Sequence, residues 1–214
     1  MKRFINKILL PALLLCAVPA AAQKPAAPKA PKDYVACFAA WDANMRTLQT
    51  DFVQTTEYDG VLISRSSGRI YYEKNGPKLR LDNLDDAKTV TQTALTDKKQ
   101  IFILDEKGKE ISTLSWKDWL SGQPNQALFD FGNYTALLSR HEAEEFAKTA
   151  GKVILRLKPK DVAQSYVLYV TVGEKDCFPR QITVRSELMS TTAELVDKKL
   201  NTVLKKDLFK RLKK

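Results

Sequence analysis

The stretch GRIYYEKNGPKLRLD, residues 68–82, decides the fold class of this chain. Ile70 and Tyr72 stand at alternate positions before the Asn-Gly-Pro turn, and Leu79 and Leu81 stand at alternate positions after it. Alternation with a period of two is typical of a strand that buries one face. A short turn between two such strands makes them antiparallel. The stretch therefore predicts two neighbouring strands of an antiparallel sheet with one apolar and one solvated side.

Segments of the same character extend over most of the chain. They are rich in β-branched and aromatic residues and lie between closely spaced turn sequences, at 52–56, 61–65, 68–74, 78–83, 88–95, 100–105, 110–115, 152–158, 164–173, 180–187 and 189–197. The turns leave no room for crossover helices, so about ten or eleven antiparallel strands are expected. Residues 141–150 look helical by propensity, although strand pairing could override that preference.

Two regions interrupt the strands with helical patterns. Before the first strand, apolar residues recur at spacings of three and four with Asp33 as a candidate N-cap, at Tyr34, Cys37, Phe38, Trp41, Met45 and Leu48. The segment 117–140 predicts short helices and loops with a large apolar content, including Trp119, Leu120, Leu128, Phe129, Phe131, Leu137 and Leu138. In an arbitrary protein, an apolar stripe of this kind packs into a closed core.

The composition indicates one globular domain whose basic charge is concentrated at its ends. The chain has 214 residues, of which 44% are hydrophobic and 28% charged, with a formal net charge of +10. Residues 33–197 nevertheless hold 21 basic and 24 acidic side chains. A nucleic-acid interface needs basic residues interleaved with exposed aromatics over one face, so no nucleic-acid partner is expected.

The amino terminus resembles a secretory signal peptide. A basic start at Lys2, Arg3 and Lys7 precedes an apolar run and the small residues that end at Ala22. A membrane anchor is the alternative, but the apolar stretch is shorter than the ~20 residues that span a bilayer. We expect a signal peptide at 1–22 cleaved near Ala22, a Pro/Ala/Lys-rich leader at 23–32, a single domain at 33–214 and a periplasmic location.

Cleavage there leaves two cysteines, Cys37 and Cys177. Thiols of exported proteins are commonly oxidised, so a disulfide between them is expected. It would close a loop of about 140 residues and contribute a few kcal/mol of stability. Two separate buried thiols are the alternative. A redox-active pair is not expected because the chain has no CxxC sequence.

The residues that catalysis or metal binding would require are scarce. His141 is the only histidine, and no serine lies in a GxSxG sequence. One histidine and two distant cysteines do not make a zinc site, and no glycine-rich phosphate loop is present. We therefore expect no catalytic residues, no metal and no cofactor, and a protein that is not an enzyme.

The basic carboxy-terminal run 205–214 has two interpretations. It could contact an anionic lipid headgroup or an acidic partner. It could also be a solvated end that improves solubility, which is the interpretation that the sequence favours.

Taken in order, the motifs resemble those of the periplasmic outer-membrane lipoprotein carrier family (LolA-like). The resemblance extends over nearly the whole mature chain and rests on Phe52-x-Gln54, Gly68-x-Ile70-x-Tyr72, 76–81 (GPKLRL), Thr96-Asp97, 157–160 (LKPK), 178–182 (FPRQI) and 201–209 (NTVLKKDLF). It implies a mainly β fold: a strongly curved antiparallel sheet, an unclosed barrel, whose concave face is covered by helices.

The resemblance also implies an apolar cavity for acyl chains. Its lining would comprise Phe38, Trp41, Met45, Leu48, Phe52, Ile70, Tyr72, Leu79, Leu81, Trp119, Leu128, Phe129 and Phe131. Family members carry an arginine that latches the lid, and here Lys74 and Asn75 occupy that region. The implied partners are an acylated lipoprotein or other lipid cargo, an inner-membrane exporter and an outer-membrane acceptor. The protein would be a monomer that contacts these membrane complexes transiently.

Three other functions stay open at this point. The same cradle could carry a glycolipid or another lipid conjugate. The fold could instead serve an envelope stress sensor or a structural domain that binds a protein partner. An enzyme is the least supported of the three.

Overall fold

The computed structural model describes residues 32–76, 78–121 and 131–210, except for the side chains of 120 and 121. The predicted signal peptide, most of the predicted leader, and Leu128 and Phe129 lie outside the described residues. The division of the chain at 22 and 32 therefore stays a prediction. No helix in the described ranges is long and apolar enough to cross a membrane.

The described residues form one antiparallel sheet and three helices. The strands are β1 Thr47–Tyr58, β2 Val61–Glu73, β3 Lys78–Leu84, β4 Val90–Thr96, β5 Gln100–Asp105, β6 Glu110–Ser115, β7 His141–Thr149, β8 Lys152–Pro159, β9 Val167–Gly173, β10 Pro179–Arg185 and β11 Met189–Leu200. The helices are α1 Tyr34–Asn44, α2 Trp116–Ser121 and α3 Tyr134–Ser139.

The strand order confirms the predicted fold class. The eleven strands of the described residues follow the order β6-β5-β4-β3-β2-β1-β11-β10-β9-β8-β7, and each neighbouring pair is antiparallel. The edge strands β6 and β7 do not pair with each other, so the sheet is an unclosed barrel. Hairpin connections account for nearly all of this order, as the closely spaced turns predicted.

The register brings the apolar alternate residues of successive strands into rows on one face. Ile70 stands opposite Leu81, Leu81 opposite Ala94, and Ala94 opposite Ile103. Because residues directly opposite in a sheet point to the same side, one apolar face continues from strand to strand. The stretch 68–82 lies in the middle of this face.

Strand β2 runs unbroken from Val61 to Glu73, where the sequence predicted two strands, at 61–65 and 68–74, with a turn at Ser67-Gly68 between them. Both residues pair with β1 on one side and with β3 on the other. A Cβ atom at Gly68 would lie 2.2 Å from the Asp82 carbonyl oxygen and 2.5 Å from the Phe52 ring. The glycine therefore provides space for Phe52 inside the sheet rather than a bend in the chain.

Two boundaries differ from the sequence prediction. Helix α1 ends at Asn44 with Met45 as its C-cap, and Leu48 belongs to β1. Residues 141–149 form strand β7 instead of a helix because they pair with β8 from His141–Pro159 to Thr149–Lys152. Tertiary pairing overrides a helical propensity in this case. The N-cap prediction is confirmed, since the Asp33 carboxylate accepts the Ala36 N–H at 3.0 Å.

Candidate functional site

One continuous cluster of buried apolar side chains lies between the sheet and the helices. It includes nine of the predicted lining residues, each 0–6% exposed: Phe38, Met45, Leu48, Phe52, Ile70, Tyr72, Leu79, Leu81 and Phe131. Trp41 and Trp119 are partly buried and pack against this cluster. We call these eleven residues the interior cluster.

Several residues of the interior cluster are closed off from water. Phe38, Leu48, Ile70 and Leu79 have no surface accessible to water. At these four residues, other protein atoms cover the side chains, and the cavity that the family resemblance implies stays a prediction. Apolar surfaces that can approach each other do so because water is excluded from both. A ligand can reach this region only if a covering element moves.

Aromatic rings join the helices to the sheet. The Phe38 and Tyr134 centroids lie 4.9 Å apart, which connects α1 with α3. Trp41 contacts Phe178 edge to face at 5.5 Å. Phe131 lies 6.0 Å from Tyr72 of β2. Such pairs contribute on the order of 1 kcal/mol each beyond the area they bury.

Asp42 is a site residue that the sequence analysis missed. It lies on α1 inside the apolar stripe and is only 2% exposed. Its Oδ1 accepts the Gly132 N–H at 2.7 Å, and its Oδ2 accepts the Tyr134 N–H at 2.9 Å. Burial raises the pKa of Asp42 above its ordinary value, while the two N–H groups, Lys74 and Lys98 oppose that shift. One carboxylate thus fastens the start of α3 to α1.

The backbone at Gly132 is shaped for that contact. Gly132 has φ +76°, in the left-handed region, and a Cβ atom there would lie 2.0 Å from the Tyr72 hydroxyl. Only glycine meets both conditions without strain. The only signal in the sequence was one carboxylate, in Trp41-Asp42, on an otherwise apolar helix face.

Lys74 fastens the end of α1. Its ammonium group donates to the Ala43 carbonyl at 2.7 Å and to the Asp42 carbonyl at 3.3 Å. These carbonyls belong to the last turn of α1, where a cation is also favoured by the helix dipole. Asn75, the other predicted latch residue, is exposed. In the described residues, the contact that resembles a latch for α3 is made by Asp42.

His141 holds the other end of α3. Its Nδ1 lies 2.8 Å from the Leu137 carbonyl oxygen, and its Nε2 lies 3.2 Å from the Tyr166 hydroxyl. A neutral ring that donates from Nδ1 and accepts at Nε2 satisfies both contacts. Burial lowers the pKa of His141, Arg140 adds to that shift, and the Leu137 carbonyl opposes it. Both ring nitrogens are therefore engaged in structural contacts.

Helix α1 has a covalent attachment as well. Cys37 is joined to Cys177, in the connection between β9 and β10, with the two Cα atoms 5.9 Å apart. The sequence left this pairing open against two separate thiols. Among the described residues, no group of three or more His, Cys, Asp or Glu side chains is arranged to hold a metal ion.

The sheet order and the apolar cluster define the fold class of this chain: an unclosed antiparallel barrel with helices over one apolar face. The family model described as outer membrane lipoprotein carrier protein LolA matches residues 43–212. The chain belongs to this family, as its motifs predicted. LolA-like proteins are carriers and binding proteins.

Solved structures share the fold at low sequence identity. MucB superposes with a TM-score of 0.53 at 18% identity, over 83% of this chain and 61% of MucB. The complex of MucB with MucA from Pseudomonas aeruginosa also matches. An uncharacterised conserved protein from Thermus thermophilus gives 0.53 at 12% identity, over 85% and 93% of the two chains. A LolA superfamily protein from Nitrosomonas europaea gives 0.48 at 12%, over 82% and 96%.

The chain therefore spans less than two thirds of the length of MucB. A search of curated protein sequences finds no match to the chain.

Proposed function

We propose that this protein is a periplasmic carrier of acylated lipoproteins. It receives its cargo from an inner-membrane exporter, encloses the acyl chains in the interior cluster and passes them, as a monomer, to an outer-membrane acceptor. The observation that carries the proposal is a continuous apolar cluster enclosed by an unclosed barrel in a chain of the lipoprotein carrier family. The amino-terminal sequence, with its features of a cleavable signal peptide, agrees with that location.

The energetics of acyl burial suit this role. Each methylene group moved out of water contributes about 0.8 kcal/mol, so a long acyl chain gains on the order of 10 kcal/mol inside an apolar site. Because residues such as Phe38 and Leu79 have no accessible surface, part of that gain offsets the cost of separating a helix from the sheet. The remainder keeps the cargo soluble while still allowing its transfer to a comparable apolar site.

Helix α3 is the element that we expect to move. Its start is held by two hydrogen bonds to the Asp42 carboxylate, and hydrogen bonds to charged groups contribute about 1.5–3 kcal/mol each. Breaking both costs less than an acyl chain gains by burial. Helix α1 instead stays with the sheet, because the disulfide and Lys74 hold it.

Native mass spectrometry of protein purified from the periplasm of its own bacterium tests the proposal. We expect a fraction of the protein to carry a lipoprotein with its acyl chains. A glycolipid or another lipid conjugate in its place would support the alternative cargo. A stable complex with a protein that has no lipid would support the sensor function. Delipidated protein that never takes up acylated peptide would contradict every carrier function.

A matched pair of variants tests whether the cargo binds in the interior cluster. Leu79→Glu puts a charge on the apolar face at a residue with no exposed surface, whereas Ile111→Glu puts the same charge at a residue that is 57% exposed. We expect only Leu79→Glu to abolish uptake of acylated peptide. Circular dichroism and thermal unfolding show whether that variant is folded, and the smaller change Leu79→Asn serves if it is not.

A further inference from the structure

A cleft outside the interior cluster lies beside the β2–β3 turn. Its volume is about 450 Å³, and its lining comprises Arg46, Thr47, Glu73, Asn75, Lys78, Asn201, Thr202, Val203, Leu204, Lys205, Lys206 and Phe209. None of these residues belongs to the buried apolar cluster. We call this space the basic cleft, and we propose that it binds the phosphate group of an anionic ligand, either free phosphate or a phospholipid headgroup.

The carboxy-terminal segment 201–210 forms one wall of the basic cleft. Asn201 begins this wall, since its Oδ1 accepts the Arg46 N–H at 2.7 Å and its own N–H donates to the Thr47 carbonyl at 2.9 Å. Thr47 donates its hydroxyl to the Thr202 carbonyl at 2.7 Å. The segment 201–210 is thus anchored at its beginning to the junction between α1 and β1.

The far end of the wall is anchored to β3. The Arg80 guanidinium donates to the Leu208 carbonyl at 3.0 Å. The Lys78 ammonium group lies 5.9 Å from the centre of the Phe209 ring. The sequence favoured a solvated end for the run 205–214, but Leu208 and Phe209 of its described part lie against β3. The segment 201–210 as a whole contacts the sheet at both ends. The cleft is therefore a formed concavity and not a gap beside a loose tail.

The lining carries an excess of positive charge. Four of its side chains are cationic, Arg46, Lys78, Lys205 and Lys206, and only Glu73 is acidic. Glu73 pairs with Lys78 at 3.5 Å. None of the ion pairs found among residues 32–76, 78–121 and 131–210 includes the other three cations. A concavity lined by unpaired cations attracts anions.

The shape and the donors favour a phosphate group over an acidic peptide. An arginine fork and two lysine ammonium groups can converge on the several oxygens of one phosphate. Asn75 and Thr202 add polar groups to the same lining. A volume of about 450 Å³ accommodates a compact headgroup, whereas an extended acidic segment needs a longer groove. Because the cleft shares no residue with the interior cluster, this site does not depend on the identity of the acyl cargo.

Isothermal titration of the full mature chain with inorganic phosphate tests the proposal at low salt. We expect Lys205→Gln with Lys206→Gln to weaken phosphate binding about tenfold or more, and Arg46→Gln to weaken it as well. The matched control is Lys107→Gln with Lys109→Gln, which removes the same charge from two exposed lysines of the β5–β6 turn. We expect that control to bind phosphate as the wild type does.

Co-sedimentation with vesicles identifies the source of the phosphate. Binding to phosphatidylcholine vesicles that contain phosphatidylglycerol, lost in the cleft variant but not in the control, would assign a lipid headgroup. Binding of inorganic phosphate without vesicle binding would assign a free phosphate. Equal losses in both double variants, tighter binding of polyglutamate than of phosphate, or no binding at all would overturn the site. Uptake of acylated peptide by the cleft variant, measured in parallel, reports separately on the carrier function.

Discussion

Helices α1 and α3 cover the same apolar cluster, but different kinds of bonds hold them. Helix α1 is joined to the β9–β10 connection by the disulfide of Cys37, and Lys74 binds the carbonyls of its last turn. Helix α3 is held at its start by the Asp42 carboxylate and at its end by the His141 ring. The first set of contacts includes a covalent bond, whereas the second depends on two buried ionisable side chains.

Under the proposed function, this difference makes α1 the fixed cover and α3 the removable one. Helix α3 has six residues and α1 has eleven, and helices this short are marginal without tertiary contacts. The contacts at its two ends therefore decide whether α3 stays on the sheet. Five predictions test this difference between α1 and α3, ordered by the size of the effect that we expect.

Removal of the Phe38 ring, which lies on α1 and contacts α3, should have the largest effect on stability. Phe38 has no exposed surface and lies against Tyr134, so Phe38→Ala should cost about 3–5 kcal/mol of unfolding free energy in urea. Phe146→Ala is the control, because that ring is 50% exposed and its loss should cost no more than about 1 kcal/mol. Similar losses in the two variants would show that α1 and α3 do not depend on a shared packed interior.

Removal of the disulfide should turn the fixed helix into a mobile one. Cys37→Ala with Cys177→Ala should lower the unfolding free energy by about 2–5 kcal/mol. Hydrogen exchange should then speed up in α1 as well as in α3. Reduction of the wild type should reproduce the loss, and a reducing agent should leave the double variant unchanged. Faster exchange in α3 alone would contradict the assignment of α1 as the fixed cover.

Asp42→Ala should release α3 selectively. The change leaves the Gly132 and Tyr134 N–H groups without their acceptor, which should cost about 2 kcal/mol. Exchange should speed up in 132–139 while α1 keeps its protection. Asp42→Asn keeps an acceptor of the same shape and should lose less. The prediction fails if Asp42→Ala increases exchange equally in both helices.

The raised pKa of Asp42 predicts a pH dependence for the same contact. A folded-state pKa above the unfolded value of ~3.9 means that the folded protein binds this proton more tightly. The pH-dependent part of the contribution of Asp42 to stability is therefore fully present below about pH 3.9 and is lost as the pH rises through the folded pKa. The ionised carboxylate still accepts the Gly132 and Tyr134 N–H groups above that pKa. Wild-type stability measured against Asp42→Asn should fall over that range, and a parallel course of the two curves would contradict it.

His141 should give the smallest effect, with the opposite sign. Its lowered pKa means that the folded state favours the neutral ring. Its contribution is fully present above the unfolded value of ~6.5 and is lost as the pH falls through the folded pKa. The protection factors of α3, which correct for the slower intrinsic exchange at lower pH, should fall on acidification in the wild type and less so in His141→Gln, whereas those of α1 should be nearly constant. Equal acidification effects in α1 and α3 would contradict the comparison.

Much of the fold could be predicted because alternation is a local signal. A strand with one buried face must place apolar residues at every second position, and the stretch around Leu79 and Leu81 shows this without any tertiary information. The capping contact of Asp33 is local for the same reason. The strand at 141–149 was harder to predict, because its pairing with β8 depends on residues outside the segment and outweighs its own propensity.

The contacts that distinguish the two helices could not be predicted in this way. The Asp42 carboxylate accepts hydrogen bonds from Gly132 and Tyr134, about 90 positions away in the chain. The sequence around Asp42 does not indicate whether its carboxylate is solvated or buried. The reach of Lys74 to α1 and the placement of segment 201–210 beside Arg46 are likewise long-range contacts. Sequence by itself determined the sheet, its apolar face and the family, since these follow from residues near one another in the chain. The contacts that hold each helix and the position of the basic cleft came from the tertiary structure alone, because hydrogen bonds and charges act over a few ångströms in space whatever their separation in sequence.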